Sequence, residues 1–393
     1  MYKSDHMITE TKALEAFCKI CASQPYVTID TEFHREKTYY SQLCLIQIAY
    51  PGKGDETAVL VDSLSPDLDL APLYDLFRNT DVVKVFHAAR QDLEIFYVEG
   101  GVFPEPFFDT QVAAMVCGFG DQVGYETLVR RIAKESLDKS SRFTDWARRP
   151  LTDKQMAYAV ADVTHLRGIY EYLDARLRET GRRAWVEEEL AVLTSPATYD
   201  IDPDEAWRRI KTRNASGKFL AVVRELAKYR EVTARERNVP RNRILKDDAI
   251  LELASTRPGS IGDLSKSRLL LRDARKGQLA EDILDAIARG RDAPVADHPK
   301  VEHQAPRRQG NEGLIELLRV LLKAKAEQAD VAQKLIATAS DLEAIAADPT
   351  GDIAALGGWR KIVFGADAMR LCAGEIALSA DGSGVRIVDL SEV

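Results

Sequence analysis

A layered α/β domain, a mixed sheet flanked by helices, followed by all-α helical units is the fold class this sequence predicts. Three observations carry the expectation. Four β-rich runs sit close together in the first 90 residues, helical patterns alternate with them up to about residue 200, and beyond a proline-marked break only helical patterns follow. The strand candidates are Tyr26–Phe33, Leu43–Tyr50, Ala58–Leu64 and Val82–His87, rich in β-branched, aliphatic and aromatic residues. The first three follow one another through short, turn-forming connections such as Pro51-Gly-Lys-Gly54, which predicts antiparallel pairing. Helices are expected over Thr11–Ser23 and Ala71–Arg78, with another after His87 that would carry Asp92. Asp109, followed by Thr-Gln-Val-Ala-Ala, reads as a helix N-cap rather than a metal ligand. Thr152-Asp-Lys-Gln155 has the form of a capping box and opens the helix bearing Tyr158 and Asp162.

The break comes at Thr194-Ser-Pro-Ala-Thr198 and Ile201-Asp-Pro203. After it, Phe219–Val239 is an amphipathic helix, and a second helix through Asp248–Ser255 stops at Arg257-Pro-Gly259. Residues 291–310 hold Pro294, Pro299 and Pro306 among charges and read as a linker. A third, helical unit follows from Leu314. The expected division is therefore residues 1–200, 205–290, a linker over 291–310, and 311–393.

Charge is divided along the same lines. The chain carries a formal net charge of −8, yet Trp207–Gly290 holds 20 Lys and Arg against 11 Asp and Glu. That middle unit is thus net +9 and the remainder −17, which points to a basic binding module beside an acidic one. Arg235, Arg237, Arg241, Arg243 and Lys246 form its densest basic stretch and are the candidates for phosphate contact. At 393 residues, with 45% hydrophobic and 30% charged residues, the chain is a soluble multidomain type. No apolar run reaches the ~18 residues of a membrane span, and Met1–Met7 lacks the apolar core of a signal peptide. A cytoplasmic protein with no membrane role is expected. Five cysteines give no disulfide framework, and Cys18-Lys-Ile-Cys21 falls in a helix without a second ligand pair, so core packing is preferred over zinc.

The chemistry is carried by acids. Asp30 and Glu32, two apart on a strand, emerge on one face, and Tyr158 and Asp162, four apart on a helix, share another. Carboxylates gathered together drive one another toward protonation unless a cation neutralises them. With Asp92 between them in sequence, the pattern is that of a two-metal phosphodiester-cleaving site. Asp-x-Glu, a mid-domain aspartate and Tyr-x3-Asp, in this order, resemble the tyrosine subtype of the DEDD exonuclease superfamily. Longer strings, Asp30-Thr-Glu-Phe33, Leu45-Ile-Gln-Ile-Ala49, Phe86-His-Ala-Ala-Arg-Gln-Asp-Leu93, Phe108-Asp-Thr-Gln-Val-Ala113 and Asp145-Trp-Ala-Arg-Arg-Pro-Leu151, resemble the ribonuclease D family.

The resemblance implies a ribonuclease H-like exonuclease domain followed by two HRDC-like helical domains. It implies 3′-to-5′ removal of nucleoside 5′-monophosphates from RNA, transfer RNA precursors included. Asp30, Glu32, Asp92 and Asp162 match the family's carboxylates for two ions, Mg²⁺ or Mn²⁺, and Tyr158 matches its water-orienting tyrosine. His87 departs from the asparagine many superfamily members carry before the middle aspartate. Phe33 is either a stacking face for a terminal base or a core ring, and Arg142, Arg148 and Arg149 either guide the strand or decorate a loop. His165 is expected to pack or face solvent. A monomer is favoured. Two other readings remain open, an exonuclease acting mainly on DNA and a silent nucleic-acid binder; the second would be marked by loss of a carboxylate, and all four are present.

Overall fold

The computed structural model describes residues 6–137, 144–212, 215–300 and 311–390. Its N-terminal domain is built on a six-stranded sheet: β1 Met7–Ile8, β2 Tyr26–His34, β3 Gln42–Ala49, β4 Ala58–Val61, β5 Val83–Phe86 and β6 Phe107–Asp109. The strands lie in the order β1-β4-β3-β2-β5-β6. β2, β3 and β4 pair antiparallel as their short connections require, whereas β1, β5 and β6 join in parallel. Among the described residues, the α-helices that accompany the sheet are α1 Thr11–Cys21, α2 Ala71–Arg78, α3 Arg90–Gly100, α4 Thr110–Val116, α5 Tyr125–Leu128, α6 Asp153–Thr180 and α7 Arg183–Leu193.

Alternation along β2 and β3 divides the core. Val27, Ile29, Ile46 and Ile48 pack against Leu14 and Phe17 of α1, Leu73 and Phe77 of α2 and Leu93 and Phe96 of α3. Leu45, Ala49 and Leu60 face the other way, onto Ala159, Val160 and Val163 of α6. Both faces of β3 are covered, so it reads as a continuous apolar run broken only by Gln47. Thr152 caps α6 through the expected capping box with Gln155, and Gly181, at φ 66°, ends it in the left-handed conformation.

The second domain packs α8, Gly217–Glu236, against a helix over Gly277–Asp292. Gly290 makes that approach close: a Cβ there would lie 2.5 Å from the Val222 Cα. The first residues of the expected linker run along this domain, where Arg224 Nη1 donates to the Asp297 carbonyl at 2.9 Å; residues 301–310 lie outside the described ones. The C-terminal region is helical and in addition carries an antiparallel hairpin, Ile376–Asp381 with Gly384–Asp389. The helical reading of 311–393 did not include it, although Asp381-Gly-Ser-Gly384 between alternating apolar residues is a turn signal. This region docks on the first domain. Trp359 stacks on Trp185 with centroids 4.7 Å apart, and Lys334 reaches Asp121 at 2.8 Å. Among the described residues, no helix is long and apolar enough to cross a membrane.

Candidate active site

β2 pairs with β5 only through Tyr26, Val27 and Thr28, then continues past the end of its neighbour. Asp30 and Glu32 therefore project from a strand whose β5 side is open, and α3 and α6 deliver their side chains into that opening. Asp92 stands in the first turn of α3, where the helix dipole favours an anion, and is buried; the Thr31 hydroxyl donates to its carboxylate. Asp162, also buried, and Tyr158 come from α6, which the Thr28 hydroxyl ties to the sheet by donating to the Val163 carbonyl at 2.8 Å. A cavity of about 260 Å³ opens on Asp30, Tyr158, Asp162, His87 and Tyr125.

The electrostatics are those of crowded acids. Burial and then the charge of Asp162 push Asp30 up to about 8. Burial and then the charge of Asp30 push Asp92 well above the ordinary carboxylate range, against the pull of the Thr31 hydrogen bond. Tyr158 is driven upward by burial and by Asp162, Glu32 and Asp30, and its hydroxyl is hydrogen-bonded to Asp162. It stays a neutral phenol at any working pH. Charge thus links Asp30 to Asp162 and to Asp92, and Tyr158 to Asp162, Glu32 and Asp30.

Asp109 has the capping role its sequence indicated. Its carboxylate accepts from the backbone N–H of Gln111 at 2.7 Å and Val112 at 3.4 Å, and also from Ala88 at 3.0 Å and Ala89 at 2.9 Å. It thereby fixes the turn, with Ala88 at φ 57°, that starts α3 and aims Asp92. Tyr125 was not legible beforehand: its hydroxyl donates to the Asp162 carbonyl, 37 residues away, and no local spacing announces that. His87, bonded to the Thr110 hydroxyl at 3.0 Å and lowered in pKa by burial, joins it on the cavity wall.

The basic candidates divide. Arg237, Arg243 and Lys246 are exposed. Arg235 and Arg241 are instead committed to Glu231, which is 1% exposed, and to Tyr39 of the first domain. Arg149 also turns inward, gripping Asp62 at 2.6 and 2.7 Å, while Arg148 is exposed and Arg142 lies outside the described residues. Phe33 is half buried against the core. His165 pairs with Glu135 at 3.3 Å. All five cysteines are free, four of them buried.

Residues 6–178 match the family model described as a 3′-5′ exonuclease, and 219–287 match the HRDC domain. A ribonuclease D from Jannaschia sp. is 62% identical over 385 residues, spanning 98% of this chain and 100% of that protein. The chain belongs to the ribonuclease D family of 3′-to-5′ exoribonucleases. Ribonuclease D of Granulibacter bethesdensis is 46% identical across 98% of this chain and 97% of its own length. The crystal structure of Escherichia coli RNase D, an exoribonuclease involved in structured RNA processing, superposes with a TM-score of 0.81 at 27% identity, covering 94% of this chain and 98% of that one. Exonucleases of this fold use divalent metals, and the ribonuclease D carboxylates fit such ions by chemistry. Their donors are hard oxygens, and the charges acting on Asp30 and Asp92 are those of other carboxylates. Among the described residues, no three His, Cys, Asp or Glu side chains already close on a single point. Of the four acids, Asp30 and Asp162 line the cavity itself.

Proposed function

We propose that the chain trims the 3′ ends of transfer RNA precursors and other structured RNAs, releasing nucleoside 5′-monophosphates. One observation carries the reading: Asp30 of β2 and Asp162 and Tyr158 of α6 line one cavity, the charge of Asp30 acts on Asp92 of α3, and that of Glu32 acts on Tyr158. Those four carboxylates would hold two divalent ions, Mg²⁺ or Mn²⁺, since hard oxygen donors suit these over zinc. Such ions, when bound, make a water nucleophilic at neutral pH and stabilise the departing 3′ oxygen. Tyr158, held protonated, orients the water by hydrogen bonding and takes no proton from it. Phe33, half buried one residue beyond Glu32, offers a ring face for the terminal base, a contact of ~1–3 kcal/mol. Arg237, Arg243 and Lys246 of the HRDC domain contact phosphates farther along the RNA.

The test of substrate class is a competition between an RNA and a DNA of one sequence, each labelled at its 5′ end, in Mg²⁺. Faster shortening of the RNA is expected. Equal or faster loss of the DNA would reassign the chain to deoxyribonucleotide substrates.

A further inference from the structure

Gln47 is the one polar side chain in the buried run Leu45-Ile-Gln-Ile-Ala49, and the chemistry described so far does not use it. It is 0% exposed, and neither its carboxamide nitrogen nor its oxygen has a hydrogen-bond partner. An amide so placed is costly, because it has given up water for nothing. Its position says what it serves. Gln47 pairs directly with Asp30 across β2 and β3, and with Leu60 on its other side. Side chains directly opposed in a pair share a face, with Cβ atoms roughly 4.5–5.5 Å apart. Along its own strand that face continues with Leu45 and Ala49, and α6 covers it with Ala159, Val160 and Val163. On the same face of β2, the Thr28 hydroxyl is already turned to the Ala49 and Val163 carbonyls, at 3.3 and 2.8 Å.

Resting on the carboxylate reading above, we propose that Gln47 is a positioning residue for Asp30. Its carboxamide N–H, unpaired in this structure, is the donor that turns to the Asp30 carboxylate when a divalent ion binds and fixes the orientation in which that carboxylate holds the ion. The donor comes from the closed side of the sheet and Asp30 faces the cavity, so Gln47 touches neither ion nor RNA. Partners of this kind are worth about 10- to 100-fold in metal affinity.

The test uses the full chain with Gln47→Leu and Gln47→Met, two apolar replacements of similar size. Removing an unpaired amide raises the melting temperature in EDTA, as it would for any burdened core residue. The positioning role adds what a core role would not: Mn²⁺ binding, followed by the electron paramagnetic resonance of the free ion, weakens at least about 10-fold. The Mn²⁺-induced rise in melting temperature shrinks with it, and the turnover deficit is recovered in part at high Mn²⁺. Parental Mn²⁺ affinity in both variants would overturn the proposal while leaving the carboxylate site intact. Parental protein whose Mn²⁺ binding is unaffected by Asp162→Asn would remove the carboxylate site itself, and the role of Gln47 with it.

Discussion

Two acidic sites in this molecule differ in the charges that surround them, and the difference separates a joint from an active site. At the junction of the first domain with the HRDC domain, Glu231 is 1% exposed, and burial alone would push its pKa up. Instead it is held below the ordinary range by Arg241, which reaches it at 2.6 and 2.8 Å, by the Tyr39 hydroxyl, and by Arg235 at 3.3 Å. Asp30 and Asp92 are desolvated as well, but their charged neighbours are other carboxylates, and both are driven upward. A buried acid with its own arginines is finished when the chain folds. A buried group of acids without them is completed by a cation from solution.

The largest effect that would break this contrast is on chemistry. Asp162→Asn should lower turnover by about 10³-fold or more while RNA affinity stays near the parental value; retained turnover would take Asp162 out of the site. Tyr158→Phe should cost about 10²-fold in kcat with little change in KM, measured in single-turnover reactions. At the joint the loss is one of stability. Glu231→Gln should cost about 2–3 kcal/mol in urea unfolding, less than the ~3–5 of a fully enclosed pair because Arg235 and Arg241 keep 28% and 30% of their side chains exposed. Hydrolysis of a dinucleotide by that variant should be unchanged. Replacing Arg237, Arg243 and Lys246 together by Gln should lower the salt slope of RNA binding by up to about 2, and an unchanged slope would clear them of phosphate contact.

The pH dependence sharpens the contrast because its sign reverses. Glu231 has a depressed folded pKa, so its stabilisation is complete above the ordinary 4.5 and is lost as pH falls through the folded value. Asp30 has a raised one, so in EDTA its contribution is complete below 3.8 and is lost as pH rises toward about 8. Stability curves in EDTA should therefore show Glu231→Gln flattening the acid limb and Asp30→Asn flattening the neutral one. A flat neutral limb in the parental chain would mean that Asp30 is not held among uncompensated acids.

Much of this was legible in sequence because it is local. The period of two that puts Asp30 and Glu32 on one face, the Thr152–Gln155 box and the Asp109 cap each depend on residues within a few positions of one another. What was not legible depends on distant partners. Arg235 and Arg241 read as phosphate-contact candidates until the fold brings up Tyr39, 196 and 202 residues away. Arg149 read either as a guide for the strand or as a loop decoration, but Asp62, 87 residues away, takes its Nε and Nη2. Tyr125 and the amide of Gln47 gain meaning only once α6 lies across the sheet.

The most direct test is a time course on a transfer RNA carrying a 3′ tail and a 5′ label, in Mg²⁺, Mn²⁺ or EDTA. A ladder that shortens stepwise from the 3′ end with either ion and vanishes in EDTA is the expected result. Cleavage that persists in EDTA, or cuts that begin inside the RNA, would mean that the four carboxylates are not the centre of a metal-dependent exonuclease.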